Sequence, residues 1–400
     1  MNANDRALVR FTSLAHGMFH TYELSIPLFV GLWMAEFDVS AAVIGTVIGA
    51  GYAFIGLGAP VSGVLSDRFS SRRLILASIV GMGIGFGIVA LARGVVSLAV
   101  AVLLWGCFAS VYHPAGLSLI SRTADARGTV FAYHGVGGNV GTAFGPLLTA
   151  LLLMVADWRL AAGALSAVAL LVGLAGTRIE FELGGAEDAG ETGSIAQELR
   201  KTARDSRTLF ATAFTVALVA VLLYGTYYRG LLTFLPDVLA ESPALRPFEL
   251  FDQTVQPAQY VYTGLLTVGI GGQYVGGRLT DRVSSTTAFF GFFAVLAGLA
   301  AAFPFVRELG TVPLVGICLL LGFTVYGTAP VYQVVVAENA DEAVQGLSYG
   351  FTYLAMFGVG ALGASLAGFV LTHATSAVLF FLLAGLAGLG GAAVLLLTRL

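Results

Sequence analysis

The apolar residues of this chain fall in long runs rather than in narrow stripes, and short polar clusters interrupt the runs at near-regular intervals. A helix that crosses a bilayer needs about 20 mostly apolar residues. Runs of that length predict helices over 8–35, 40–66, 73–92, 96–121, 127–155, 159–177, 208–238, 258–279, 286–305, 312–336, 346–372 and 375–398. The breaks are charged or turn-forming: Asp67-Arg68, Arg93-Gly94, Arg122 to Gly128, Asp157-Trp158-Arg159, Asp281-Arg282 and Arg307-Glu308. Twelve such spans with short loops use up the 400 residues. The expected fold is an all-α membrane protein.

Composition narrows the class. Residues of the AVILMFWYC set make up 57% and charged residues 11%, against about a quarter charged in a soluble domain. Mean hydropathy is +0.88. Such a chain cannot cover a water-facing surface with polar groups, so lipid must solvate it. The 52 glycines are about twice the usual share and suit close helix contact in a membrane. A soluble enzyme, a coiled coil, collagen and a disordered linker are excluded. No nucleophile–base constellation or nucleotide-binding loop stands between the spans, so neither an enzyme nor a cofactor is expected. A net charge of −3 points to no nucleic acid. Cys107 and Cys318 lie far apart in apolar runs, without metal-ligand spacing, and read as small buried hydrophobes. Arg6 and Arg10 precede an apolar stretch like that of a signal peptide. The stretch contains His16, His20 and Glu23 and lacks a cleavage site, so it reads as a retained first span.

The basic residues give an orientation. With the N-terminus inside, four of the 20 Lys and Arg residues (Arg93, Arg159, Arg246 and Arg307) fall on outer segments and Arg229 within a span; the remainder are inside. Both termini are therefore expected in the cytoplasm, at the cell's inner membrane. The long inner segment divides the chain into a six-helix bundle over 1–178, a linker over 179–207 and a second six-helix bundle over 208–400. The linker is acidic and Gly-rich at first. Ser194 to Gln197 then has the pattern of a capping box, ahead of Arg200, Lys201, Arg204 and Arg207. That pattern suits a short helix on an anionic leaflet, or a solvated charged linker.

The halves repeat. The segment from Gly58 to Ser71 aligns with Gly272 to Ser285 at a constant offset, with Gly58, Gly63, Leu65, Asp67, Arg68, Ser70 and Ser71 identical to their counterparts. Gly106 and Pro114 recur as Gly322 and Pro330. Two parallel six-helix repeats are the architecture of a rocking secondary transporter.

These residues carry a resemblance. The run Gly63-Val-Leu-Ser-Asp67-Arg68-Phe-Ser-Ser-Arg72-Arg73 resembles the G-x-x-x-D-R-x-G-R-R signature of the major facilitator superfamily, with Ser70 in place of the second Gly and the basic pair one residue late. The resemblance implies that fold, and a conformational latch at Gly63, Asp67 and Arg68 with repeat mates Gly277, Asp281 and Arg282. Gly63 is expected to allow close approach of a neighbouring helix, and Asp67 to pair with an Arg or face a helix N-terminus. A loop that merely fixes topology is the alternative. A narrower resemblance, to the fosmidomycin-resistance branch, lies in Tyr112-His113-Pro114-Ala-Gly116, Arg127-Gly128 and Gly137-Gly138-Asn139-Val-Gly141-Thr-Ala-Phe-Gly145-Pro146. Leu231 to Pro236 is similar to that branch too. Gly137, Gly138, Gly141, Gly145 and Pro146 are expected to pack helices. Their spacing also resembles an antiporter motif, with Thr149 where a later glycine would stand. The first span departs from the branch: His16 and Pro27 fit, but His20 holds the place of an acid, and Glu23 follows three residues on.

An ionisable residue inside a span marks a functional site by default. Steps of four and three residues put His16, His20 and Glu23 on one helical face, with His20 and Glu23 near mid-bilayer. Glu23 is the first candidate for a proton carrier, with His20 and His16 as partners. Alternatives are a structural hydrogen bond between helices and a metal site, since His-x-x-x-His-x-x-Glu also has helical ligand spacing; no metal enters the leading expectation. Arg229 needs an anionic partner, either Glu23 or a substrate carboxylate, phosphate or phosphonate, unless it snorkels outward beside Asp237. The expected substrate cavity comprises Arg229, Tyr228, His134, Asn139, His113, Tyr326 and Gln333, with Tyr133, Tyr224, Tyr332 and Tyr349 as further lining. His113 could instead hydrogen-bond carbonyls freed by Pro114, and Asn139 could bond across helices. His373 is expected to be solvated.

Three functions fit: a proton-coupled antiporter exporting small organic compounds, a proton symporter for an organic anion, and a membrane receptor or scaffold that does not transport. The first is the leading expectation. Its partners would be protons, membrane lipid and a small-molecule substrate, anionic in one reading, and the protein would act as a monomer.

Overall fold

The computed structural model describes residues 1–183, 210, 212–340 and 345–400, side chains excepted at 64, 67, 68, 212 and 345–347. The chain falls into two compact units. One joins Met1–Val39, Ala50–Glu191 and Phe251–Gln253; the other joins Ser40–Gly49, Thr192–Leu250 and Thr254–Leu400. The expected linker helix at 194–207 lies outside the described residues.

The first half of the chain is built of α1 (Ala3–Ser25), α2 (Val30–Phe37), α3 (Ala41–Leu57), α4 (Ala59–Arg68), α5 (Ser71–Ala90), α6 (Val95–Thr123), α7 (Arg127–Val155) and α8 (Trp158–Thr177). The first two spans are interrupted where continuous helices were expected. Pro27 lacks the amide that an α-helix needs, and Ile26–Leu28 forms a 3₁₀ turn between α1 and α2. Gly58 separates α3 from α4, with Pro60 in the first turn of α4, where a missing N–H costs nothing. Asn2 caps α1 by accepting from the Asp5 amide at 2.7 Å. Asp157 caps α8 through the Leu160 amide. The core is aromatic: Tyr22 on Phe86 at 4.2 Å and Phe29 on Trp33 at 5.5 Å between ring centroids.

The second half contains α9 (Thr212–Ala240), α10 (Pro257–Thr280), α11 (Ser285–Val306), α12 (Thr311–Glu338), α13 (Gln345–Tyr353), α14 (Leu362–His373) and α15 (Ser376–Leu397). The helix expected over 346–372 is in three pieces, because Leu354–Val359 forms a π-helix between α13 and α14. Strands β1 (Phe248–Leu250) and β2 (Gln253–Val255) pair as a hairpin, an exception to the all-α expectation. Its turn residues Phe251 and Asp252 both have positive φ, as a type I′ hairpin turn requires. Phe303 stacks on Phe380 with centroids 3.7 Å apart.

Described helices occupy all twelve expected span positions. Ten of them are long and apolar enough to cross a membrane by length and composition. The other two positions are the first span, which carries Asp5, Arg6, Arg10 and Glu23, and α10, which carries Gln259, Gln273 and Arg278.

Candidate functional site

The site in the first unit begins with how α1 lies on α7. A Cβ at Gly137, Gly141 or Gly145 would collide with the backbone of Ser13, Gly17 or Thr21 respectively. The next step of the same ladder is polar, with Thr149 Oγ1 2.7 Å from Ser25 Oγ. Every pair differs by 124 residues, so the two helices run parallel in unbroken register, advancing four residues per contact. Only glycine permits backbones this close. Thr149 therefore replaces the motif's later glycine with a hydrogen bond. At the start of the ladder, the buried Asp5 carboxylate accepts from the Asp125 and Ala126 amides at 3.0 and 3.2 Å. It thus satisfies amides ahead of α7, where the helix dipole favours an anion.

The seam gathers imidazoles. Gly138 leaves room for the His16 ring, which a Cβ there would strike. That ring stacks on His134 with centroids 4.1 Å apart and planes 11° from parallel. His16 Nδ1 lies 2.9 Å from the His134 carbonyl oxygen. His16 Nε2 lies 3.1 Å from His20 Nε2, and His20 Nδ1 lies 2.7 Å from Glu23 Oε2. Glu23 is 1% exposed and His20 23%. His113, on α6, stands edge-on to His16 at 5.2 Å and to Phe19 at 4.5 Å. Tyr112 donates to the Thr12 carbonyl at 2.8 Å and lies 3.5 Å from His134 Nδ1. Tyr52, on α3, donates to the Glu23 backbone carbonyl at 2.8 Å. The sequence-predicted residues His16, His20, Glu23, His113 and His134 are thus one cluster. Asp5, Tyr52 and Tyr112 were not singled out as its supports. The signal for Asp5 was present in the Asn2–Asp5 capping pattern, but its reach to α7 depends on tertiary packing.

Other first-unit expectations fare differently. Asn139 is half-buried and its side chain makes no hydrogen bond among the described residues. Tyr133 is exposed and lines an apolar groove of about 930 Å³ beside the seam, with Arg10 among its walls. Cys107 is exposed, not buried, and lines an apolar pocket with Phe54, Leu104 and Phe108; Cys318 is buried as expected. The close helix approach expected at Gly63 is absent: among the described residues, nothing lies within 4 Å of a Cβ placed there. The tight glycine of that segment is Gly58, packed on Ser110. The repeat behaves alike, with Gly272 against the Phe323 backbone, while Gly277 has ordinary space beside Pro330. The side chains of Asp67 and Arg68 lie outside the described residues; Asp281 and Arg282 are exposed.

The site in the second unit centres on Arg229. It is 2% exposed, so its guanidinium does not snorkel to solvent. Its central carbon lies 5.2 Å from the Tyr228 ring centroid and 5.7 Å from that of Phe357, in cation–π range of both. Tyr228 and Tyr326 hydroxyls are 3.2 Å apart, and Tyr224 packs on Tyr332 at 5.6 Å. Tyr224 donates to the Val325 carbonyl. Gln333 and Tyr349 are exposed, and the Gln333 side chain hydrogen-bonds Tyr332 of this group. His373 is exposed and packs on Phe369. Phe357 escaped the sequence reading because it belongs to the π-helix.

Comparison with known proteins agrees with this architecture. The model of the Major Facilitator Superfamily matches residues 12–364. The chain belongs to that superfamily. It is a multi-pass membrane protein and a secondary transporter, and not an enzyme. The Fosmidomycin resistance protein of Escherichia coli (strain K12) is 23% identical over 384 residues, 94% of this chain and 89% of that one. The Hexuronate transporter of Bacillus subtilis (strain 168) is 24% identical over 367 residues, 88% of this chain and 84% of that one. Among solved structures, an inward-facing, occupied bacterial homolog of the human lysosomal transporter Spinster superposes with a TM-score of 0.77 at 14% identity. That superposition covers 100% of this chain and 98% of the other, and concerns the fold alone.

Proposed function

We propose that this transporter is a proton-coupled antiporter that exports small organic compounds across the cell's inner membrane. The observation that carries the reading is the buried Glu23 carboxyl, 2.7 Å from an imidazole that continues to a second imidazole. A carboxyl shut away from water but linked to titratable rings can take up and pass on a proton. The α7 ladder that holds these rings is the segment resembling an antiporter motif, and likeness to the Fosmidomycin resistance protein favours export. Glu23, His20 and His16 form the proton path. Gly63, Asp67 and Arg68, with Gly277, Asp281 and Arg282, act as a latch between access states.

The test is transport into proteoliposomes under an imposed pH gradient, with fosmidomycin as the probe. The native protein should accumulate it. Glu23→Gln should abolish gradient-driven accumulation while labelled-for-unlabelled exchange partly survives, because the amide resembles the protonated acid. Full gradient-driven transport by Glu23→Gln would remove Glu23 from the mechanism. The orientation has its own check: with both termini cytoplasmic, an impermeant thiol reagent should label Phe248→Cys in intact cells and miss Gly190→Cys.

A second reading is proton symport of an organic anion. Its support is Arg229, buried between two aromatic rings and suited to bind a carboxylate or phosphonate, together with the hexuronate-transporting relative. The sign of the gradient that drives uptake separates the two.

A further inference from the structure

A carbonyl oxygen accepts hydrogen bonds and never donates them. His16 Nδ1, 2.9 Å from the His134 carbonyl, therefore carries a hydrogen, and the Nε2 of a neutral His16 is bare. His20 Nε2 stands 3.1 Å from that atom. Two ring nitrogens at this distance attract only when one hydrogen lies between them; two bare lone pairs repel. On the other side of His20, Nδ1 is 2.7 Å from Glu23 Oε2, a contact that also needs one hydrogen, on either atom. The row from Glu23 to the His134 carbonyl thus holds three hydrogens, one per contact. The count is the same for a carboxylate beside an imidazolium and for a carboxylic acid beside a neutral imidazole.

We propose that Glu23, His20 and His16 form one shared proton site, seen here in its loaded form, and that losing a single proton breaks the His16–His20 contact. The proposal rests on the reading of Glu23 as the proton carrier and adds where the proton is held. With Glu23 ionised, His20 keeps its hydrogen on Nδ1, and both Nε2 atoms become bare. His16 is held by its bond to the α7 backbone and by the stack on His134. His20, 23% exposed, is the member with room to turn away, so unloading is coupled to a side-chain movement on the first span. Among the described residues, the titratable groups facing the row include His113 and Tyr112 on α6, His134 on α7 and Tyr52 on α3. Tyr112 and Tyr52 donate to backbone carbonyls, so their hydroxyl hydrogens are committed elsewhere. His134 Nδ1 lies beside the Tyr112 hydroxyl, and His113 meets the row through ring edges.

The experiment is nuclear magnetic resonance of the full-length protein in lipid nanodiscs with nitrogen-15 in its histidines, of which there are 5. A nitrogen–nitrogen coupling across the hydrogen bond should link Nε2 of His16 with Nε2 of His20 at acid pH. It should vanish as the pH is raised. In Glu23→Gln, whose amide group can donate to His20 Nδ1 without losing a proton, the coupling should persist at every pH. Absence of the coupling in the native protein at all pH values would overturn the proposal. So would one equivalent of transition metal in the purified protein, since ligand atoms of His16, His20 and His113 lie within 4.8 Å of one another and an ion could fill the same gap. If the coupling titrates but no pH gradient drives transport, the antiporter reading fails and the shared site stands. If Glu23-dependent transport occurs without the coupling, the shared site alone fails.

Discussion

The first span docks on the fifth in unbroken register, whereas the seventh docks on the eleventh across a π-helical turn. In the first unit, each contact of the α1–α7 ladder has the same sequence offset. In the second, Gly225 packs on the Met356 backbone and Gly363 on that of Thr226, with no constant offset. Leu354–Val359 lies within this seam, and a π turn holds an extra residue, so side chains beyond it are rotated from their α-helical positions. The regular seam lines up His16, His20 and Glu23 along one face of α1 and stacks His134 of α7 on His16. The interrupted seam turns an aromatic ring, Phe357, toward a buried guanidinium. Glycines bring backbones together in both; helix phase decides which chemistry the contact presents. The repeat seen in sequence thus conserves the docking principle and varies the site.

The strongest way to break the comparison is to put a side chain into the regular ladder. Gly141→Leu meets the Gly17 backbone, which cannot yield as a flexible side chain would. Overpacking of this kind costs about 3 kcal/mol or more. Loss of monodisperse protein in size-exclusion chromatography is the expected result, and a native-like thermal melt would show that the seam is looser than its register implies. A smaller effect is expected at the interrupted seam. Arg229→Ala should weaken binding of an anionic probe such as fosmidomycin by about tenfold to a hundredfold, the worth of a charge-assisted hydrogen bond, while the histidine titration of the first unit stays in place. Unchanged affinity, measured by titration calorimetry, would assign Arg229 a structural role. The smallest effects concern the repeated loops. Gly63→Ala should leave the melting temperature unchanged, since open space surrounds the glycine among the described residues. Asp67→Asn should leave folding intact and slow transport several-fold if it is a latch, because a pairing made in one access state is lost. An unaltered rate would reduce Asp67 to a marker of topology.

Much of the fold was legible along the chain. The long apolar runs and charged breaks placed the spans, because lipid demands about 20 apolar residues for each crossing. The steps from His16 to His20 to Glu23 placed three ionisable groups on one face, because helical geometry is local. The four-residue spacing of Gly137, Gly141 and Gly145, read in part through a resemblance, named the docking face of α7. Less was legible at Gly63, where a repeated glycine suggested tight contact. Whether a neighbour stands beside it depends on how far the adjacent helix extends, and that is not written locally.

The sequence by itself determined the positions of the long helices, the internal repeat and which faces carry charge, since all three follow from hydropathy and helical period. Tertiary structure decided the rest. It set Ser13 against Gly137 and so brought His134 onto His16. It carried Asp5 to the amides ahead of α7, and it chose a π turn over an α turn beside Gly225. Each of these joins groups distant in sequence, or selects between backbone states of similar local energy. Packing, not propensity, settles such choices.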